Sequence, residues 1–134
     1  MTAPQKRRKA IPLSQFIRQG ASTLTAADIE GFHKFVPKIR TKLHKILKEG
    51  HHDLHREASA LLYYADESTR GSARPMHPRT MFDCVFGLHY LLKGMDAIPD
   101  SVPDIGLEDD RIIVNRIYQA HEKTLLAFHA GHEI

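Results

Sequence analysis

The sequence predicts an all-α protein, a compact bundle of four main helices, and three observations carry that prediction. Apolar residues recur at intervals of three and four in four separate segments. No stretch of useful length alternates apolar and polar residues as a half-buried strand would. The helix breakers Gly50, Gly71, Pro75, Pro78, Pro99 and Pro103 fall between those segments. At 134 residues and 42% apolar, the chain suffices for one core of ordinary size and is too short for two.

Residues 1–22 read as a basic N-terminal tail, with Pro4, the cluster Lys6-Arg7-Arg8-Lys9, Pro12 and Gly20. Its short apolar patch of Ile11, Leu13, Phe16 and Ile17 is suited to docking on the domain formed by residues 23–130. The first helix should begin near Thr25, where Thr25-Ala26-Ala27-Asp28 places a hydroxyl at the N-cap and a carboxylate three positions on. It should end before Gly50 and turn Ile29, Phe32, Phe35, Val36, Ile39, Leu43, Ile46 and Leu47 inward. Pro37 lies inside that pattern and predicts a kink or break near Val36. A second helix over 52–67 should bury Leu54, Ala58, Leu61, Leu62 and Ala65, and 69–79 reads as a loop. Thr80-Met81-Phe82-Asp83 repeats the capping pattern and should open a third, strongly apolar helix through Leu92, with Gly94 as its C-cap. The fourth should start near Leu107 or Glu108 and carry Ile112, Ile113, Ile117, Leu125 and Phe128 inward. Glu108, Asp109 and Asp110 then fall in its first turn, where carboxylates suit the positive end of the helix dipole.

Between the last two helices the chain reads M-D-A-I-P-D-S-V-P-D-I-G-L-E-D-D, an Asp- and Pro-rich knuckle without Lys or Arg. The order D-x-I-P-D, a second Pro, then G-x-x-D-D opening a helix resembles the YkvA-like family of small helical domains, which remain largely without assigned biochemistry. The match rests on Leu88, Leu91, Leu92, Asp96, Ile98, Pro99, Asp100, Pro103, Gly106, Asp109 and Asp110, within residues 80–120. It implies architecture and little function. The chain departs from the strongly hydrophobic continuation of many members, since Arg111, Asn115, Arg116, His121, Glu122 and Lys123 interrupt the last helix.

Composition bounds the function classes. No apolar run approaches the ~20 residues of a membrane span, and no apolar signal core follows the N-terminal charges, so a cytoplasmic location is expected. The single Cys84 cannot form an internal disulfide, and among Phe82, Val85 and Phe86 it reads as a small buried hydrophobe. Charge is divided along the chain. Residues 1–56 hold twelve Lys and Arg against four Asp and Glu, net +8, whereas 57–134 hold seven against twelve, net −5. That layout favours a partner with an anionic surface, or self-association head to tail into a homo-oligomer.

Three constellations are candidates for a site. Asp96, Asp100, Asp104, Asp109 and Asp110 would offer oxygen ligands to a divalent metal ion, or else serve only the turn and the helix start, without EF-hand spacing. His51, His52, Asp53 and His55 form a second candidate metal group, because His51 and His55 stand four apart and share one helical face. Completing it would need another helix, with His33, His44, His121, His129 and His132 available, and the alternative is a solvated helix start. The pair His52-Asp53 faintly resembles HD-type metal-dependent phosphohydrolases, in which a bound metal supplies hydroxide to a phosphoester. Third, Lys34, Lys38, Lys42 and Lys45 recur at four, four and three, lining one face that Arg40 and Lys48 widen. With the 6–9 cluster and Arg18 it could engage a protein or an anionic surface, gripping phosphates of nucleic acid or anionic lipid headgroups, or be an ordinary solvated face. Tyr63, Tyr64, Tyr90 and Tyr118 read as core or rim residues, and no serine sits in a nucleophile elbow. The leading expectation is a non-enzymatic binding module acting through the basic half. The alternative is a metal-dependent phosphoester hydrolase using the Asp or His group.

Overall fold

The computed structural model describes residues 13–71, 77–93 and 106–133, with the backbone alone for 93, 106–110 and 130–133. Those residues form seven α-helices and one 3-10 turn: α1 (Leu13–Ser22), α2 (Ala26–Glu30), the 3-10 turn Phe32–Phe35, α3 (Val36–Lys48), α4 (His52–Thr69), α5 (Pro78–Lys93), α6 (Gly106–Ala120) and α7 (Glu122–Glu133). No described residue lies in a strand, and no described helix is long and apolar enough to cross a membrane.

The centre of the molecule is α4, which packs against α3, α5, α6 and α7. Leu54, Ala58, Leu61, Leu62 and Ala65 are buried along it, in the register that the apolar period predicts. Glu57 is buried in the same stripe, at Leu54 plus three and Leu61 minus four. It is tolerated there because Asn115 Nδ2 donates to Glu57 Oε2 at 3.0 Å and Arg56 Nη2 lies 3.6 Å from the same oxygen.

The start of the domain follows its capping chemistry. Asp28 N–H donates to Thr25 Oγ1 at 3.1 Å and Thr25 N–H donates to Asp28 Oδ2 at 2.9 Å, a complete capping box on α2. The Thr25 backbone N–H, and after it the Thr25 side chain, hold the Asp28 carboxyl below the usual carboxylate value. A lowered folded pKa contributes stability above the unfolded value and loses it as pH falls through the folded one. The Thr25 amide-proton NMR shift should therefore titrate with a midpoint below about 3.9, the ordinary Asp value. Asp28→Asn should remove that transition.

The expected break near Pro37 is present and longer than a kink. The chain passes from α2 through Gly31 into the 3-10 turn, and α3 restarts at Val36 with Pro37 in its first turn, where a missing N–H costs nothing. The break aims Phe32 into the core, fully buried, and turns Phe35 out to 36% exposure. Phe35 and Leu47 thus leave the inward set that the sequence assigned to them. At the other end of α3, Gly50 adopts φ +88°, His51 N–H donates to Ile46 O, and Gly50 N–H donates to Leu47 O. This left-handed glycine closes the helix and turns the chain directly into α4.

Three further elements differ from expectation. Within the stretch read as a tail, the apolar Leu13, Phe16 and Ile17 dock as the composition suggested but do so on a helix, α1, which packs on α5 and α6 with Ile17 and Ala21 buried. A Cβ at Gly20 would overlap the Phe86 ring, so glycine is what lets α1 lie this close to α5, with the Phe16 ring edge-on to Phe86 at 6.0 Å. Helix α5 begins at Pro78, so Thr80 is inside its first turn and not its cap. The last helical stretch divides at His121, between Ala120 and Glu122, where the His121 N–H is shared between Ile117 O at 3.1 Å and Tyr118 O at 3.3 Å. Along α6 the inward residues are Ile113, Val114 and Ile117, and Ile112 is 44% exposed. The Gly94 cap and the knuckle over 94–105 lie outside the described residues.

Candidate functional site

The basic face is real as a surface. Lys34, Lys38 and Lys45 are exposed and Lys42 half-buried, on the 3-10 turn and the flank of α3 opposite Arg40 and Leu47. Val36, Ile39, Leu43 and Ile46 bury the other side, so the lysines keep to one solvated strip, which ends at Glu49. Among the described residues no ion pair reaches these four lysines. Arg40 is drawn the other way, its Nη2 lying 4.0 Å from Asp66 Oδ2, and it does not widen the strip.

The histidine group is dispersed. His51 is the residue before α4, and its Nδ1 lies 3.3 Å from Arg111 Nη2, so that nitrogen serves as an acceptor. Asp53 faces Arg56 at 3.6 Å, His52 is exposed, and His55 lines a cavity of about 470 Å³ with His44. His33 Nδ1 bonds Glu30 O at 3.1 Å. Among the described residues, no three His, Cys, Asp or Glu side chains gather to hold a metal ion. Asp96, Asp100 and Asp104 lie outside the described residues, as do the side chains of Asp109 and Asp110. Cys84 is fully buried, and burial pushes its thiol well above the ordinary value, which removes it as a nucleophile.

A different constellation stands where α1, α5 and α6 meet. Asp83 Oδ2 accepts from His121 Nε2 at 2.8 Å, and His121 Nδ1 lies 3.0 Å from Thr80 Oγ1. A carboxylate only accepts, so the Nε2 proton belongs to His121, and a neutral ring then accepts the Thr80 hydroxyl on its other nitrogen. Order and spacing are those of a hydroxyl, a base and an orienting acid. Thr80 is nevertheless 2% exposed and does not line the adjacent cavity, so no substrate atom reaches its oxygen. The set is a polar lock between the first turn of α5 and the break after α6.

Asp83 and His121 do line that cavity, of about 240 Å³, together with Arg18, Arg79 and Arg116. Asp83 is 7% exposed, and its Oδ1 accepts no hydrogen bond among the described residues. Leaving such an acceptor unmet costs about 1–3 kcal/mol. The sequence placed Asp83 only in a local capping pattern and did not single out Glu57. The available signal was their position in otherwise apolar helical stripes, which marks a charge that needs a partner from elsewhere.

Comparison with protein-family models, with curated proteins and with solved structures finds no match for this chain.

Proposed function

We propose that the protein is a cytoplasmic, non-catalytic helical binding module that engages an acidic protein surface through Lys34, Lys38, Lys42 and Lys45. The observation that supports this reading is the lysine strip itself, solvated, one-sided and without an ion pair among the described residues. Lys38 also stands at the rim of a largely apolar cavity of about 700 Å³, lined by Leu24, Phe35, Phe86, Tyr90 and Leu92. A partner presenting carboxylates beside one apolar side chain engages both features, and nucleic acid or a bare lipid headgroup engages only the first. In this reading α3 to α6 are the four main helices of the bundle. The Asp- and Pro-rich segment then serves as the turn from α5 to α6, as its resemblance to the YkvA-like family implies.

The test is fluorescence anisotropy of a labelled Glu-rich peptide carrying a single Leu-Phe pair, measured against salt. Binding should weaken steeply with salt, and charge reversal in Lys38→Glu, Lys42→Glu and Lys45→Glu together should reduce it by about tenfold or more, since each interfacial charge contact contributes on the order of 1 kcal/mol. Unchanged affinity in that variant refutes the reading. Tighter binding of single-stranded DNA or of phosphatidylserine vesicles reassigns the strip to those ligands.

A further inference from the structure

The cavity between α1, α5 and α6 has a composition that the lysine strip does not explain. Arg18, Arg79 and Arg116 line it together with one buried carboxylate, that of Asp83, and with His121. The guanidinium of Arg79 reaches Asp83 Oδ2 only at 4.0 Å, and the Arg79 side chain is 58% exposed. Among the described residues Arg18 and Arg116 enter no ion pair. Among the described residues positive charge therefore exceeds negative at this mouth, which favours an anion, and planar guanidinium forks suit a tetrahedral oxyanion that can take two bonds from each.

Asp83 narrows the choice. Its Oδ1 is buried and accepts nothing among the described residues, so a ligand that met it with another bare oxygen would be repelled, and one that met it with an O–H would be held. An oxyanion that is negative and still carries a proton satisfies both requirements. At about pH 6 inorganic phosphate is chiefly dihydrogen phosphate, a monoester with its second pKa near 6 keeps its last proton on about half of its molecules, and sulfate keeps none. Size agrees, because about 240 Å³ lies below the ~300 Å³ at which sites for drug-sized ligands begin and accommodates a single phosphoryl group. A neighbouring hollow of about 350 Å³ shares Arg18, Arg79 and Asp83 and adds the apolar Ala21, Pro78 and Phe82, room for the organic part of an ester.

We infer that the cavity bounded by Arg18, Arg79, Arg116 and Asp83 binds a phosphate group that is negative and retains an O–H, with the arginines on its charged oxygens and Asp83 accepting the O–H. The site is separate from the lysine strip and stands whether or not an acidic partner binds there.

Isothermal titration of the full chain with inorganic phosphate, sulfate and phenyl phosphate at pH 6 tests it, in about 0.15 M sodium chloride to screen the lysine strip. Phosphate should bind at least about tenfold tighter than sulfate, the factor expected when a buried acceptor is met by a donor in one case and not in the other. Arg18→Ala with Arg116→Ala, both exposed side chains whose loss should leave the melting temperature unchanged, should abolish phosphate binding. Asp83→Asn, whose amide can donate to sulfate, should erase the preference. Phenyl phosphate binding tighter than inorganic phosphate identifies a monoester ligand on Phe82 and Pro78, and the opposite order identifies free phosphate. Equal affinity for phosphate and sulfate in the unaltered protein overturns the assignment, as does phosphate binding that survives loss of both arginines. The comparison on the unaltered chain decides even if Asp83→Asn fails to fold.

Discussion

His121→Ala is expected to lower the unfolding free energy by about 3 kcal/mol, the upper range for a hydrogen bond to a charged group, read from urea denaturation. The Asp83 carboxylate would then lose the donor that bonds it at 2.8 Å, the only one among the described residues, in a position 7% exposed to solvent. Thr80, itself 2% exposed, would lose its partner in the same step. The cost is large because the acid stays behind and buried. Removing both members should be milder, so Asp83→Ala with His121→Ala should lose less than the sum of the single losses, with a coupling of about 0.5–3 kcal/mol. Additive losses would mean that the pair contributes no more than two separate packing contacts.

Phe32→Ala should cost about 4 kcal/mol, within the range for truncating a fully buried aromatic ring. Phe32 is 0% exposed and packs edge-on against the His89 ring at 5.9 Å, and it is the one buried residue of the 3-10 turn. The same substitution at Phe35, 36% exposed on the adjacent position of that turn's far end, should cost far less. A loss under about 1 kcal/mol at Phe32 would show that the turn collapses to fill the space and does not anchor α3.

The contrast between Phe32 and Phe35 also marks how far the sequence could be read. Periodicity located α3, α4 and the core of α5 well, because Leu54, Leu61, Leu88 and their neighbours sit at helical spacing and are buried. It failed on which side chains each helix turns inward near an interruption. Treating the chain as helical through 31–35 put Phe35 inward, treating it as helical through 121 hid the role of His121, and within α6 the buried stripe runs through Ile113, Val114 and Ile117 and leaves Ile112 outside. The Thr25 cap was legible because both partners are local. The same pattern at Thr80 and Asp83 misled, because those side chains bond His121, thirty-eight residues beyond Asp83. A cap is written in four consecutive residues, and a tertiary lock is not. The lysine strip was legible in full, apart from Arg40, whose pairing with Asp66 depends on how α3 lies on α4.

The docking of α1 has a kinetic consequence. The contacts of α3 with α4 and of α4 with α5 join neighbours along the chain, and such pairings form early because the loops that close them are short. Helix α1 instead meets α5 and α6, distant in sequence, through a glycine that must seat against Phe86. It is expected to dock late in assembly and to release early in partial opening, which hydrogen exchange along α1 would read. Arg18 rides on that helix, facing Arg79 and Arg116 across the cavity. The three arginines are therefore together only in fully assembled molecules, and any anion held between them acts as a latch on the closing step, slowing the departure of α1 while leaving the remaining helices to fold at their own pace.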